Sequence, residues 1–399
     1  MSLEKKHILI IHPEGNIYNN PHLYEMVRFL RERFVVRLLV PNSPTIRDSD
    51  EFEELIVAFW PRFNRYFEWA LRNSLLFGIV NVLFGLMYLR GIRFDMIIGV
   101  DQIGLINAYF LAHRYRVPYA LISYEILFRS ECSDVEKRLE VIASKNLAFA
   151  VTQDENRAHW LFTENQIAEE KAILMPVASS FVKPYRKDYS LYGALGIPQH
   201  MKVLLFVGSV SSWTCLDRVV QNIEQMPEDW VLLLHDRYGN TQKKIKGLLG
   251  GKELVGLRIF ISDMELRNTA EMHRLLHCAD IGLALYCPDG LSKYTGENLT
   301  HVGLASGKIS TYLQNGVPVV TTANRALRKL SPRNEVISFI ETLDGLFSVL
   351  RDFQSSPKIN QACVDFFSKT LSFDLYSQIL ENKIVECLDT NCISRTRVS

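Results

Sequence analysis

Residues 275–322 have the sequence LLHCADIGLALYCPDGLSKYTGENLTHVGLASGKISTYLQNGVPVVTT, in which a short helical segment lies between two strand signals. The apolar run DIGLALY predicts the first buried strand. The helix is predicted to begin at Ser306 and to end at Asn315 and Gly316, since helices often end at Gly or Asn. The run Val317–Thr322 predicts the second strand. Strand, helix and strand in this order are typical of a parallel sheet covered by helices.

The same plan repeats along the chain, which has 399 residues and is longer than one typical core requires. The sequence therefore predicts an α/β protein of two Rossmann-like domains that face a cleft. The domains are predicted as 1–182 and 200–358, joined by the connection Phe181–His200, which is basic and contains proline. Residues 359–399 are predicted to be helical and to pack back on the first domain. The predicted strands are HILIIH, VVRLLVP, DMIIGV, YALISY and LAFAVT in the first half and KVLLFVGS, DWVLLLHD, LRIFIS, DIGLALY and VPVVTT in the second.

Composition and charge exclude several classes of protein. Apolar residues make up 48% of the chain and charged residues 22%, which is typical of a folded globular protein. The 45 Lys and Arg residues balance 44 Asp and Glu residues, so the formal net charge is only +1. No overall field therefore attracts nucleic acid, and any phosphate site must be local.

Three features bear on the compartment. The chain starts without the apolar core of a signal peptide. The apolar run Leu75–Leu89 is shorter than the roughly 20 residues that span a bilayer. The stretch Phe59–Phe94 mixes Arg with aromatic residues, which suits a membrane interface, although a pair of core-packing helices is favoured. We expect a cytoplasmic protein, with peripheral contact at the inner face of the membrane as the open alternative.

The cysteines show neither a CxxC pair nor the spacing of a metal site. We therefore predict free thiols in a reducing compartment. The seven residues are Cys132, Cys215, Cys278, Cys287, Cys363, Cys387 and Cys392.

The predicted helix at Ser306 begins with a candidate anion site. Its free amides, the hydroxyls of Ser306, Ser310 and Thr311, and the ammonium of Lys308 can together hold a diphosphate, because charge-assisted hydrogen bonds are the strong ones. The alternative is a solvated lysine on a surface helix. A second candidate is the glycine turn at Gly208, where the backbone can approach a ligand closely, although a simple strand-to-helix turn explains it equally well.

The segments CADIGLALYCP and SGKISTYLQNGVPVVTT resemble the large retaining group of GT-B glycosyltransferases, which use nucleotide-sugar donors, as in its family-four-like members. Looser similarity extends to LLFVGS, ILMPV and FFSKTLSFDLYSQIL. The resemblance implies the GT-B fold, a UDP- or GDP-sugar donor held by the second domain, and transfer to a glycan or lipid-linked acceptor with retention of configuration. In such families the segment that GKISTYLQNGVPVV resembles contacts the nucleotide and the diphosphate.

The chain departs from that family at its charged positions. Many members carry two glutamates with seven residues between them, and these would fall at Gly303 and Thr311. Basic residues that neutralise the phosphates would fall at Ser209 and Thr214. Arg237, in the loop LLHDRYGN, is predicted to supply the missing charge together with Lys308.

The resemblance and the position of these residues predict a donor site. Arg237, Lys308 and the amides at the start of the helix can stabilise a leaving diphosphate without a metal, so we predict a metal-independent transferase without a cofactor other than the donor substrate. Arg237 and Lys308 are predicted to stabilise the leaving diphosphate. The predicted donor-binding residues are Gly208, Ser209, Arg237, Tyr286, Asn298, Ser306, Lys308, Ser310 and Thr311.

Acidic residues follow three predicted strands of the first half, at the strand ends where open α/β sheets bind ligands. Glu125, after YALISY, is the predicted acid or base of the reaction, and it matches a family segment that often carries a His or acidic residue. A carboxylate that caps the following helix is an equal alternative. Asp101 has a weaker claim, and 14–16, Glu-Gly-Asn, is a candidate acceptor site.

Two other functions fit the same sequence. The missing glutamate pair favours a GT-B relative that binds a glycan or a partner without turnover. A nucleotide-sugar epimerase would share the fold and act on the donor itself.

Overall fold

The structure is a computed structural model that describes residues 5–13, 20–41, 55–58, 89–180, 186–208, 210–235, 241–250, 252–264, 269–331 and 335–396. The chain divides into two compact units. The first unit contains Met1–Val177, Ser292–Asn298 and Phe373–Ser399, and the second contains Ala178–Leu291 and Leu299–Ser372.

The first unit contains a seven-stranded sheet with the order β3-β2-β1-β4-β5-β6-β7, in which all strands are parallel. In the connections that the structure describes, helices join the strands, as parallel neighbours require. Its elements are β1 (His7–Ile11), α1 (Pro21–Arg33), β2 (Val35–Pro41), β3 (Leu55–Ala58), β4 (Met96–Val100), α2 (Asp101–Tyr115), β5 (Tyr119–Ile122), α3 (Asp134–Ser144), β6 (Ala150–Thr152), α4 (Glu155–Asn165) and β7 (Ala172–Leu174).

The second unit repeats this order with six parallel strands, β10-β9-β8-β11-β12-β13. The elements that follow β7 in the chain are α5 (Ser190–Leu195), β8 (Lys202–Val207), α6 (Leu216–Gln221), β9 (Trp230–His235), α7 (Thr241–Leu249), β10 (Ile259–Ser262), α8 (Thr269–His277), β11 (Ile281–Ala284), α9 (Glu297–Thr300), α10 (Gly307–Gln314), β12 (Val319–Thr322), α11 (Arg325–Leu330), β13 (Ile337–Ile340), α12 (Leu343–Asp352), α13 (Pro357–Thr370) and α14 (Asp374–Thr396). The last of these, α14, belongs to the first unit.

Each sheet has a core on both faces, because successive side chains of a strand point to opposite sides. In the first unit, Leu9 and Ile97 pack with α2, α3 and α4, whereas Ile8 and Ile98 pack with α1 and α14. The second unit has the same two layers. The prediction that the end of the chain returns to the first domain is confirmed from Phe373 onward.

The two Rossmann-like sheets confirm the predicted fold class, and all ten predicted strands form. Strands β3, β7 and β13 are additional. Each has only three or four residues, so it presents little periodicity to a reading of the sequence. In both sheets the order reverses beside the first strand, between β1 and β4 and between β8 and β11. Ligands of open α/β sheets bind at the carboxyl ends of such strands.

The prediction that all seven cysteines are free thiols is wrong. Cys215 and Cys287 form a disulfide, with 5.9 Å between their Cα atoms. They follow β8 and β11, which are paired strands, so the loops at their carboxyl ends are neighbours although 72 positions separate the cysteines. The remaining thiols that the structure describes are Cys132, Cys278, Cys363 and Cys387.

Several predicted features lie outside the described residues. They are residues 14–16, Ser209, Arg237, most of the stretch Phe59–Phe94 and the side chain of Cys392. Within the ranges that the structure describes, no helix is both long and apolar enough to cross a membrane.

Candidate functional site

Helix α10 of the second unit carries Lys308 and the neighbouring hydroxyl residues of the predicted phosphate site. Tyr312 anchors the helix on the sheet: its hydroxyl donates to the Leu205 carbonyl at 3.0 Å and accepts from the Val207 amide at 3.2 Å. Gly282 leaves room for the ring, because a Cβ at that position would overlap it. This packing holds the first turn of α10 beside the ends of β8 and β11.

Three aromatic rings surround the ammonium of Lys308. The distances from Nζ to the ring centroids are 4.9 Å for Phe206, 5.4 Å for Trp213 and 5.6 Å for Tyr286. We call these four residues the Lys308 box. Each ring face attracts a cation, by about 0.5–2 kcal/mol depending on its exposure to water. The rings orient the ammonium without neutralising its charge.

The rings of the Lys308 box come from strand ends that meet at the reversal point of the second sheet. Phe206 lies near the end of β8, Trp213 in the loop after it, and Tyr286 in the loop after β11. Gly208 lies between the first two, with φ +144°, and a Cβ there would come 3.3 Å from the Lys308 Nζ. Glycine therefore lets the backbone run beside the ammonium.

The two loops that carry Trp213 and Tyr286 are bound to each other. The Cys215–Cys287 disulfide joins them, and the Cys287 amide donates to the Trp213 carbonyl at 2.8 Å. The Ser212 hydroxyl also donates to the carboxylate of Asp289. These contacts hold the aromatic walls of the Lys308 box in position.

The hydroxyl residues predicted around the diphosphate build the start of α10. Ser306 caps the helix, accepting from the Ile309 amide at 3.3 Å, and its hydroxyl also pairs with the phenol of Tyr286. The Ser310 hydroxyl donates to the Ser306 carbonyl at 3.2 Å and is buried. Thr311 is half-buried. Gly208, Tyr286, Ser306 and Lys308 are thus brought together, with Ser310 and Thr311 in the adjoining turn.

In the first unit, Asp101 holds the loop that contains Glu125. It follows β4 directly, at φ 54°, and its carboxylate accepts from the amides of Tyr124 at 2.6 Å and Glu125 at 2.9 Å. Such a left-handed conformation is unfavourable for most residues but tolerated by Asp. We call residues 123–126, which follow β5, the Glu125 loop.

Asn298 lies in the first unit beside Glu125, rather than in the second with Lys308. Its amide nitrogen donates to the Glu125 carboxylate, and its carbonyl oxygen accepts from the Ile126 amide at 2.9 Å. The segment 292–298 makes further contacts with this unit, since Lys293 pairs with Glu136 at 3.1 Å. Two predicted site residues, Glu125 and Asn298, are therefore in direct contact.

Arg157, on α4, lies behind the Glu125 loop and is almost completely buried. Its guanidinium donates to the Tyr124 carbonyl at 2.6 Å, to the Gln153 side-chain oxygen at 2.6 Å and to the Asn298 side-chain oxygen at 3.3 Å. Burial lowers the pKa of Arg157, and the carboxylates of Glu125, Asp154 and Asp101 oppose that shift.

A second buried cation, Lys137, holds the residue that follows the Glu125 loop. Lys137 is fully buried, and its ammonium donates to the Leu127 carbonyl, to Asn165 at 2.6 Å and to Glu140 at 3.0 Å. Burial raises the pKa of the Glu140 carboxyl, and the Lys137 ammonium opposes that shift. Cation and carboxylate are therefore mutually dependent.

A neutral pair lies on the other side of Tyr124. The His22 Nδ1 is 2.8 Å from the Tyr124 hydroxyl. Burial lowers the pKa of His22 to about 3 and raises the pKa of Tyr124. Both groups are uncharged near pH 7, so neither adds a charge beside the Glu125 loop.

Four residues of these two regions were not predicted from the sequence: Phe206, Trp213, Arg157 and Lys137. Trp213 stands five residues after Gly208 in the segment KVLLFVGSVSSWTCLD, and an aromatic residue so close to a glycine turn is a weak signal for the wall of a binding site. Arg157 and Lys137 stand in ordinary helical sequence, without such a signal. Among the described residues, no group of three or more His, Cys, Asp or Glu is placed to hold a metal ion.

No family model matches the chain, and no curated protein matches it in sequence. Solved structures match it over almost its whole length. Sucrose-phosphate synthase from Thermosynechococcus elongatus has a TM-score of 0.72 at 12% identity, covering 97% of this chain and 100% of its own. HepE of Anabaena, in complex with UDP and glucose, has a TM-score of 0.68 at 12% identity, covering 96% and 100%.

A third structure, WaaG, a glycosyltransferase involved in lipopolysaccharide biosynthesis, has a TM-score of 0.63 at 13% identity, covering 95% of this chain and 99% of its own. The chain has the GT-B fold. Identity of 12–13% establishes the architecture of the GT-B fold and leaves function to the site residues. In this GT-B chain, the Lys308 box lies at the carboxyl ends of β8 and β11.

Proposed function

We propose that this protein is a glycosyltransferase that moves a sugar from a nucleotide-sugar donor to a glycan or lipid-linked acceptor. The observation that carries the proposal is the Lys308 box, a cation oriented at the reversal point of a Rossmann-like sheet. A cation at the start of a helix is suited to a diphosphate. HepE, a GT-B neighbour, is crystallised with UDP-glucose.

In this proposal Lys308 and the first amides of α10 bind the donor diphosphate. When the bond between the sugar and the diphosphate breaks, negative charge increases on the leaving phosphate, and a fixed cation stabilises it. Arg237 is proposed to add a second positive charge. With these two cations the proposed reaction is metal-independent, and the donor is a UDP- or GDP-sugar.

Glu125 is the proposed acid or base for the acceptor. The acceptor hydroxyl forms the new bond to the sugar and loses its proton, which the carboxylate accepts. Retention of configuration is part of the proposal and rests on the resemblance of SGKISTYLQNGVPVVTT to the retaining group.

Calorimetry with UDP-, GDP- and CDP-sugars, followed by a search for the released nucleoside diphosphate, tests the proposal. We expect one donor class to bind. Lys308→Ala should weaken binding of the nucleoside diphosphate roughly 10- to 100-fold, because a charged hydrogen bond is worth about 1.5–3 kcal/mol, and should leave nucleoside binding unchanged. Lys246→Ala, on the exposed face of α7, is the matched control.

Two results would contradict this assignment. Equal losses for nucleotide and nucleoside would show that Lys308 does not contact phosphate. If none of the nucleotide sugars bound, the proposed glycosyltransferase activity would be excluded.

A GT-B relative that binds without turnover is the second candidate. It is favoured by Gly303 and Thr311, which stand where many relatives carry glutamates. Donor binding without product in the presence of acceptors would support this candidate, whereas a new nucleotide sugar without any acceptor would indicate an epimerase.

A further inference from the structure

The buried Arg157 has no role in the proposed binding of the donor, yet it makes three hydrogen bonds around the Glu125 loop. Taking a guanidinium out of water costs several kcal/mol unless charges and hydrogen bonds compensate. Here Gln153, the Tyr124 carbonyl and the Asn298 side-chain oxygen accept its protons. Burying this guanidinium is therefore unfavourable unless its hydrogen bonds and the neighbouring carboxylates stabilise its charge.

Three carboxylates interact electrostatically with Arg157. Backbone amides hold two of them: Asp101 accepts from Tyr124 and Glu125, and Asp154 caps α4 by accepting from Asn156 and Arg157. These two acids therefore have fixed places in the fold. The third, Glu125, is half-buried and is held through the side-chain amide of Asn298.

Asn298 connects the arginine to this carboxylate. Its carbonyl oxygen faces the guanidinium and the Ile126 amide, which leaves its amide nitrogen toward Glu125. The donor atoms thereby set which end of the carboxamide meets the carboxylate. The amide nitrogen also donates to the Tyr294 carbonyl at 3.3 Å, so Arg157 shares with two backbone groups in setting the orientation of Asn298 and, through it, of Glu125.

We propose that Arg157 is a positioning residue that acts through Asn298 and the Tyr124 carbonyl to keep Glu125 ionised and in one orientation for proton transfer. The inference rests on the proposed function, since it assigns Glu125 the proton of the acceptor. Other groups around this carboxylate are Asp101 after β4, Asp154 on α4, and the neutral pair of Tyr124 and His22. Arg157 is the cation among these groups, so its charge opposes the two other acids.

The test compares Arg157→Met, Arg157→Lys and Asn298→Ala with the wild-type enzyme, and uses Arg138→Met, an exposed arginine on α3, as control. The measurements are nucleotide affinity by calorimetry and the pH profile of kcat, followed as release of nucleoside diphosphate from the donor sugar that calorimetry identifies. A measurement that does not depend on activity is the titration of ¹³C-labelled glutamate carboxyls by NMR. The Glu125 signal is assigned as the one that is missing in Glu125→Gln. Circular dichroism checks that each variant folds.

We expect Arg157→Met to leave nucleotide affinity unchanged, because the Lys308 box lies in the other unit. The value of kcat should fall at least about 10-fold, and the acid limb of its pH profile should move up by about one pH unit, since loss of a nearby cation disfavours the carboxylate. Arg157→Lys should restore the acid limb but not the full kcat. Asn298→Ala should also lower kcat, but it should shift the acid limb of the pH profile less than Arg157→Met does.

The outcomes separate the two proposals. If the wild-type chain turns over a donor while the acid limb and the Glu125 titration are the same in Arg157→Met, the inference is overturned and the proposed function stands. If no donor is turned over but the Glu125 titration shifts in Arg157→Met and not in the control, the electrostatic coupling stands and its catalytic use fails. Should Arg157→Met fail to fold, Arg157→Lys and Asn298→Ala decide by the same readouts.

Discussion

The Lys308 box and the Glu125 loop both lie at strand ends of a Rossmann-like sheet, yet they hold a charged group by different means. Aromatic rings and a disulfide-linked pair of loops orient the ammonium of Lys308. Asp101 and Arg157 hold the backbone of the Glu125 loop, and the side-chain amide of Asn298 holds the Glu125 carboxylate. Aromatic rings attract a cation without neutralising it, whereas a polar network fixes the protonation and direction of a carboxylate.

The difference predicts unequal sensitivity to substitution. A buried ionic network fails as a unit when one member is removed, because the remaining charges lose their partners. The Lys308 box instead depends on a covalent connection between two loops. Loss of stability should therefore be largest for a change in the buried ionic network, smaller for loss of the disulfide between the two loops, and smallest for loss of the partly exposed ion pair of Lys293.

Lys137→Met should have the largest effect on stability. It removes three hydrogen bonds and leaves the Glu140 carboxylate buried without its cation, which should cost about 5 kcal/mol of unfolding free energy. The pKa of Glu140 is already raised by burial, so the variant should bind a proton on folding. Stability should then fall as pH rises, and the deficit should be larger at pH 7.5 than at pH 5.

Urea unfolding of the first unit at both pH values measures this effect. Lys145→Met, an exposed lysine after α3, is the control and should be nearly neutral. A deficit that did not change with pH would contradict the coupling between Lys137 and Glu140.

Reduction of the Cys215–Cys287 disulfide should have the second-largest effect. The bond closes a loop of 72 positions, and the chain-entropy relation assigns such a loop about 4 kcal/mol. Hydrogen exchange with and without reductant should show faster opening confined to the second unit. The double variant Cys215→Ser, Cys287→Ser should match the reduced chain and should not respond to reductant.

Reduction should also weaken nucleotide binding, because Trp213 and Tyr286 are then less firmly held around Lys308. If reduction lowered the protection of amides from hydrogen exchange equally in both units, the disulfide would do more than connect these two loops.

Lys293→Ala should have the smallest effect. Its ion pair with Glu136 is partly exposed, and such pairs contribute less than about 1 kcal/mol. Thermal unfolding at low and high salt measures the loss, which should disappear at high salt. A loss of several kcal/mol would mean that the segment 292–298 is held mainly by this pair rather than by Asn298.

Much of the second-unit site could be predicted from short sequence patterns. The helix that begins at Ser306 and ends near Asn315 follows from cap residues and a glycine stop, and Lys308 follows from its place in the first turn. Its aromatic surroundings could not be predicted, because Phe206, Trp213 and Tyr286 meet only when β8 and β11 pair.

The first-unit site was less accessible to sequence reasoning. Glu125 and Asp101 could be placed at strand ends, since alternating strands and helices predict a parallel sheet. Asn298 is separated from Arg157 by 141 positions, and its place in the chain suggested the donor domain instead. Nothing local distinguishes Arg157 from a surface arginine on an amphipathic helix.

By itself the sequence determined the alternation of strands and helices, the two Rossmann-like units and the start of α10, because these depend on hydrophobic period and capping within a few residues. The tertiary structure decided which distant residues meet: the Cys215–Cys287 bond, the rings around Lys308, and the contact of Asn298 with Glu125 and Arg157. Such contacts depend on strand order and on burial, which set distances and the local dielectric, and neither is written in a local pattern of residues.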